Sequence, residues 1–172
     1  MDLFVRIVRF LSLYCGYAAA ALIGSAVIVV CQMVFVRFAL NQNTIWQTDF
    51  VTYSLVAATF IGSPYVLMMR GHVNVDVLPM HVGPKTRFWL ALFSNLLAMA
   101  FCITMVVLTS QYWQEAWNNH WLSNTMWRAR LWIPYSSMPI GLFILTLQYV
   151  AELLSLVSGR DAPFGIKTES RS

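Results

Sequence analysis

The chain has 172 residues, of which 59% are hydrophobic and only 10% are charged, and its formal net charge is +4. A soluble domain usually has about 25% charged residues, so this chain has too little polar surface to form a water-soluble globule. Its basic residues follow the connections between apolar runs, which indicates a membrane topology and argues against a nucleic-acid partner.

Four stretches contain almost no charge, at 11–36, 50–69, 88–110 and 134–151. A helix needs roughly 20 residues to cross the hydrocarbon core, and unpaired backbone amides are too costly in lipid for any open structure. The sequence therefore predicts an all-α integral membrane protein that forms one four-helix domain over 1–172. The expected spans are about 11–37, 48–70, 86–112 and 132–157, with a flexible tail at 158–172.

The first span contains small residues at every fourth position. Gly16, Ala20 and Gly24 share one helical face, which lets a second helix approach closely, from within the chain or from another subunit. The run is too long for a signal peptide and no cleavage signature follows Arg37, so we expect it to remain in the mature protein. Arg37 and Asp49 are expected at the membrane interface, either paired with each other or a partner, or independent.

The second span includes Pro64, which removes a backbone hydrogen bond and is expected to bend the helix. The polar segment 70–87 follows, and it begins with Arg70, Gly71 and His72. We interpret it as a structured elbow on the membrane surface, in which Gly71 permits the exit turn and Asp76 caps a short interfacial helix. Its two histidines have no metal-ligand spacing.

The third span continues into the segment QYWQEAWNNHWLSNTMWRAR. Trp113, Trp117 and Trp121 are four residues apart, so they are expected on one face of an amphipathic helical extension. That face would contact headgroups, a partner protein or, least favoured, a carbohydrate. In the fourth span, Pro134 suits a first helical turn and Pro139 is expected to bend or start the regular helix.

The distribution of basic residues predicts the orientation. Eight lie on the side of the termini and the elbow, whereas only three lie on the opposite side: Arg37, Arg128 and Arg130. The positive-inside rule therefore places both termini in the cytoplasm. The centres of the first three spans contain no ionisable side chain of the kind that marks a transport pathway, and all three histidines lie outside the spans, which argues against a haem subunit. The three cysteines lie in apolar runs and are expected to be unpaired, buried small hydrophobic residues.

Three segments together resemble the small (Q) membrane subunits of tripartite ATP-independent periplasmic (TRAP) transporters. The elbow RGHVNVDVL is similar to the family signature G-H-(I/V)-x-V-D-(L/V)-L. Trp46, Asp49 and the segment IGS at 61–63 match the start and middle of the family's second helix, although Glu is commoner where Asp49 stands. WIPYSSMPIG is similar to the start of the fourth helix at Pro134, Pro139 and Gly141, with a shortened spacing. The resemblance covers about residues 10–158.

The resemblance implies a supporting role and no enzymatic activity. It implies that a periplasmic binding protein delivers an organic acid, of the sialic acid or dicarboxylate class, to a large membrane subunit. That subunit binds sodium and moves as an elevator, whereas the small subunit binds no cofactor and widens the fixed scaffold. On this basis Gly16, Ala20 and Gly24 are expected to contact the large subunit. Candidates for docking the binding protein are Glu115, Arg128 and Arg130.

Two rival functions fit the same composition. The chain could be a membrane anchor or assembly subunit of another inner-membrane complex, which would share its lack of reactive groups. It could also be a small exporter that acts as a dimer, which would require transport by this chain alone. The elbow signature and the proline-rich start of the fourth span favour the TRAP subunit.

Overall fold

The computed structural model describes residues 2–69 and 84–157. Within these ranges the chain forms three long helices, one short helix and a final long helix, and no β-strand. They are α1 (Asp2–Ala39), α2 (Gln47–Met68), α3 (Pro84–Asn118), α4 (Trp132–Tyr135) and α5 (Ser137–Val157). The predicted elbow, with Arg70, Gly71, His72 and Asp76, and the predicted flexible tail lie outside the described residues.

Four helical segments are long and apolar enough to cross a membrane: Leu3–Ala39, Gln47–Met68, Phe88–Asn118 and Trp132–Leu156. They confirm the prediction of an all-α membrane protein with four spans. The result follows from local chemistry, because a long apolar run can satisfy its backbone groups in lipid only as a helix.

The helices do not pack in chain order. α1 packs against α2, α2 against α5 and α5 against α3, with a smaller contact between α1 and α5. Within the described residues α1 and α3 share no substantial contact. The helices therefore form a row, α1–α2–α5–α3. Of the 18 most apolar consecutive residues of α1, only 11% are buried, and the same is true of α3. A broad apolar face of each edge helix is left for lipid or for another protein.

Small residues form the contact between α1 and α2. The buried positions of α1 follow a seven-residue repeat, which places them on one helical face: Val8, Ser12, Cys15, Ala19 and Ala26. A Cβ atom added at Gly62 of α2 would lie 3.0 Å from the Cβ atom of Ala19. Close approach between small side chains replaces the hydrophobic effect, which does not act between helices in lipid.

Packing around α5 is equally close. A Cβ atom added at Gly141 would lie only 2.2 Å from the backbone oxygen of Phe60 in α2. Leu142 and Leu145 of α5 form a buried cluster with Leu67 of α2 and Cys102 of α3. Gly141 therefore fixes the separation of α2 and α5, and the leucines hold α3 against α5.

Pro139 explains why the fourth span is interrupted. Its ring would clash with the carbonyl group four residues earlier, which belongs to Tyr135, and it has no N–H group to donate to that carbonyl. Tyr135 is the last residue of α4, and α5 begins at Ser137. Pro139 therefore lies in the first turn of α5, where the missing N–H costs little.

Candidate functional site

One end of the bundle is rich in tryptophan and includes the connections at 40–46 and 119–131. We call it the Trp-rich end, and it contains Trp46, Trp113, Trp117, Trp127 and Trp132. The opposite end, where α1 begins and α5 finishes, is called the terminal end. Among the described residues, the predicted docking charges and the interface charges all lie at the Trp-rich end.

The connection after α3 folds into a small hairpin over residues 121–131. α3 ends at Asn118, and His120 adopts a left-handed conformation with φ of 48°, which reverses the chain. The N–H of Ser123 then donates to the carbonyl of Ala129 at 2.9 Å, and the N–H of Leu131 donates to the carbonyl of Trp121 at 3.0 Å. The tip is closed where the N–H of Arg128 donates to the carbonyl of Thr125 at 3.1 Å.

The hairpin tip is attached to the start of α2. The hydroxyl of Thr125 donates a hydrogen bond to the carboxylate of Asp49. Beside it, the rings of Trp46 and Trp127 lie 6.5 Å apart, and Trp46 also contacts Phe50. The connection that follows α3 is therefore held against a helix that is more than seventy residues earlier in the chain.

Other aromatic side chains fix the base of the hairpin. The indole N–H of Trp113 donates to the carbonyl of Trp132 at 3.1 Å, and the rings of Trp117 and Trp132 lie 4.6 Å apart. Tyr112 contacts both Trp121 and Tyr135. The prediction of one helical face of three tryptophans was wrong, because α3 ends before Trp121. The predicted extension of α3 exists, but its tryptophans pack partly on the chain itself.

The two interface charges have separate partners within the chain. Arg37 donates from Nε to the hydroxyl of Thr44 at 2.7 Å, whereas Asp49 accepts from Thr125. No ion pair joins Arg37 to Asp49 in the part of the chain that is described, so pairing with each other is not the arrangement adopted. Each charge instead closes a connection at the Trp-rich end.

The three docking candidates are exposed. Glu115 lies near the end of α3, Arg128 lies at the hairpin tip and Arg130 lies in its second arm. Arg128 has φ of 49°, a left-handed conformation that disfavours a side chain with a Cβ atom. Its guanidinium group is therefore presented from a constrained turn.

The predicted small-residue stripe of α1 is divided between two environments. A Cβ atom added at Gly16 would lie 2.5 Å from the Tyr65 ring of α2, so Gly16 serves a contact within the chain. Ala20 is exposed, and nothing lies within 4 Å of a Cβ atom added at Gly24. Of the three residues in the predicted stripe, only Ala20 and Gly24 are therefore left to contact another molecule.

Polar side chains inside the spans are bonded mainly within the chain. The buried hydroxyl of Ser12 donates to Oε1 of buried Gln148 at 3.0 Å, and Thr59 donates to a carbonyl of its own helix. Buried side-chain oxygens of Gln47 and Asn95 accept no hydrogen bond. Across residues 2–69 and 84–157, no group of three His, Cys, Asp or Glu residues could hold a metal ion. The Ser12–Gln148 bond therefore joins α1 to α5, whereas the Thr59 bond remains within α2.

Sequence reasoning missed the contacts that cross between spans. Ser12 and Gln148 are 136 residues apart, and Thr125 gave no sign that it would bind Asp49. Gly141 was noted as part of a motif, but its close approach to Phe60 was not foreseen. The signals in the sequence were Gly141, Ser12 and Gln148, which lie within apolar runs. Such small or polar residues often mark close contacts between helices.

The comparisons with known proteins agree with this architecture. A family model described as "Tripartite ATP-independent periplasmic transporters, DctQ component" matches residues 26–159. The chain is similar to the C4-dicarboxylate TRAP transporter small permease protein DctQ of Vibrio cholerae serotype O1. The two are 21% identical over 178 residues, an alignment that covers 91% of this chain and 77% of the Vibrio protein. No solved structure matches the chain.

Proposed function

The chain belongs to the DctQ component family of TRAP transporters, and we propose that it is the fixed scaffold of such a transporter. Its family and its four apolar helices make it a multi-pass inner-membrane protein and a transporter subunit, not an enzyme. The observation that carries the proposal is the row of helices, because it leaves the outer faces of α1 and α3 without a partner among residues 2–69 and 84–157.

Two features support a scaffold over a carrier. The buried polar groups of the α1–α5 contact, Ser12 and Gln148, are bonded to each other. α1 has 38 residues and α3 has 35, so they are about 57 Å and 52 Å long. Both exceed the roughly 30 Å hydrocarbon core, so each must tilt or extend beyond it. Long, rigid edge helices suit a subunit that positions a moving partner.

We assign the contact with the large membrane subunit to the face of α1 that contains Ala20 and Gly24. Both residues are exposed, and the space around Gly24 is open, so a partner helix can approach the backbone there. In this proposal the large subunit binds sodium and carries the solute as an elevator, and this chain extends the fixed part against which it moves. No cofactor is assigned to this chain.

The Trp-rich end is proposed to face the periplasm, with both termini in the cytoplasm. The distribution of basic residues supports this orientation. Exposed Glu115, Arg128 and Arg130 would then contact the periplasmic binding protein. The solute is an organic acid of the dicarboxylate or sialic acid class, and the similarity to the C4-dicarboxylate transporter subunit of Vibrio supports a dicarboxylate.

Co-purification tests the partner face. The variant Gly24→Leu should lower recovery of the large subunit, because a branched side chain would fill the space that a partner helix needs. The matched control is Ala18→Leu, at an exposed position on the other flank of α1, which should leave recovery unchanged. Equal recovery with the two variants would show that the partner contacts a different surface.

Uptake assays test the function itself. Sodium-dependent uptake of a C4-dicarboxylate or of sialic acid should require co-expression of this chain, the large subunit and the binding protein. Liposomes that contain this chain alone should show no uptake. Transport by the isolated chain would contradict the scaffold role.

A further inference from the structure

A groove opens between α3 and α5 near the Trp-rich end. Its volume is about 830 Å³, which lies in the range of pockets that hold small molecules. Side chains from both helices line it: Val106, Val107, Ser110, Gln111 and Gln114 from α3, and Ser136, Ile140, Phe143 and Ile144 along the fourth span. The antiparallel helices therefore line it over about two turns each.

The groove becomes more polar along its length. Val106, Val107 and Ile144 line one end, whereas Gln111 and Gln114 line the other. The apolar end lies seven residues before Trp113, or about 10 Å along the helix. Tryptophan side chains prefer the membrane interface. The apolar end is therefore at the depth of hydrocarbon chains, and the glutamines are at the depth of headgroups.

The groove is also short. One turn before Val106 in α3, Cys102 belongs to a buried cluster with Leu142 and Leu145, so the two helices are in contact there. The groove is thus about 12 Å long, from Val106 to Gln114, and does not continue across the membrane. An acyl chain that enters from one leaflet needs only this length.

We propose that this groove holds an acyl chain of a phospholipid from the leaflet at the Trp-rich end. The apolar wall would receive the chain, because exposed Val107, Ile140 and Phe143 keep the side of the groove open to lipid. The amide N–H groups of Gln111 and Gln114 would donate to ester or phosphate oxygens at the interface. The two lining serines use their hydroxyl protons on backbone carbonyls, so the amides are the available donors.

Filling the groove from either wall tests the proposal. The full chain and three variants, Val107→Trp, Ile140→Trp and Leu108→Trp, are purified in mild detergent and incubated with palmitoyl-oleoyl phosphatidylethanolamine. Bound lipid is counted by native mass spectrometry, and circular dichroism checks that each variant is folded. Leu108 is the matched control, since it is 52% exposed on the same helix but does not line the groove.

We expect the unmodified chain and Leu108→Trp to retain the phospholipid. In the two groove variants, lipid occupancy should fall by about tenfold or more. Because the two substitutions lie on different helices, one remains informative if the other fails to fold. Equal lipid retention by all folded variants would overturn the proposal, as would no retention by the unmodified chain. A photo-crosslinker at Val107 that captures the large subunit in place of lipid would also overturn it.

Discussion

Replacement of Gly141 by alanine tests whether close approach of α2 and α5 holds the bundle together. The added Cβ atom would lie 2.2 Å from the oxygen and 2.4 Å from the carbonyl carbon of Phe60, both of which are backbone atoms. Neither can rotate away as a side chain would. An ordinary contact begins at 3.4 Å, so the difference from 2.2 Å requires the helices to separate locally by about 1.2 Å.

The energetic effect follows from that separation. A gap of 0.5–1 Å already forfeits roughly a quarter to a half of each dispersion contact, and overpacking typically costs about 1–3 kcal/mol. Alanine favours a helix over glycine by about 1 kcal/mol, which offsets part of the loss. Because the contacted atoms belong to the backbone, we take the upper end of that range, about 3 kcal/mol. After the offset, we expect Gly141→Ala to lower the free energy of unfolding by about 2 kcal/mol.

The assay is equilibrium unfolding of the full chain in mixed micelles with increasing dodecyl sulfate, followed by circular dichroism. Gly24→Ala is the matched control, because nothing lies within 4 Å of the added atom. That control should be neutral or gain up to about 1 kcal/mol from helix propensity. If Gly141→Ala is as stable as Gly24→Ala, the close approach of α5 to Phe60 does not contribute to stability.

Two further predictions concern contacts between distant segments, and a third concerns the backbone conformation of Arg128. Ser12→Ala should lower the free energy of unfolding by about 1 kcal/mol in the same assay, because it leaves buried Gln148 without its hydrogen-bond donor. The double variant Ser12→Ala/Gln148→Leu should recover most of that loss. An unchanged free energy of unfolding in the single variant would contradict this prediction. Thr125→Val should raise the rate of proteolysis within 121–131, because the bond to Asp49 is lost; an unchanged rate would show that the aromatic contacts suffice. Arg128→Gly should raise the melting temperature, because glycine adopts φ of 49° without the roughly 1 kcal/mol that other residues incur; no increase would show that the guanidinium group stabilises the turn.

The division of the α1 stripe shows how far a local pattern reaches. Four-residue spacing correctly placed Gly16, Ala20 and Gly24 near one another on a helix, but it could not give the rotation of that helix. The structure turns Gly16 toward Tyr65 and leaves Gly24 open. The buried face of α1 is centred elsewhere, at Ser12, Cys15 and Ala19. The prediction of buried cysteines is confirmed at Cys15 but wrong at Cys31, which is exposed. Ser12 was not recognised as a packing residue.

The Trp-rich end shows a second limit of sequence reasoning. The extension of α3 was predicted from composition and exists, but the reversal at His120 removes Trp121 from the helical face. Left-handed conformations at His120 and Arg128 carry no glycine or asparagine signal, so the hairpin was not foreseen. Its attachment to α2 depends on the hydrogen bond between Thr125 and Asp49, which are 76 residues apart in the chain.

The sequence alone determined the four spans and the family. Both depend on local information: a run of about 20 apolar residues must be helical in lipid, and short motifs keep their order along the chain. Only the tertiary structure decided the helix order α1–α2–α5–α3, the partner of each interface charge and the groove between α3 and α5. Those features depend on which helical faces meet, and in lipid that choice is made by close packing of small side chains and by a few hydrogen bonds between residues far apart in the chain.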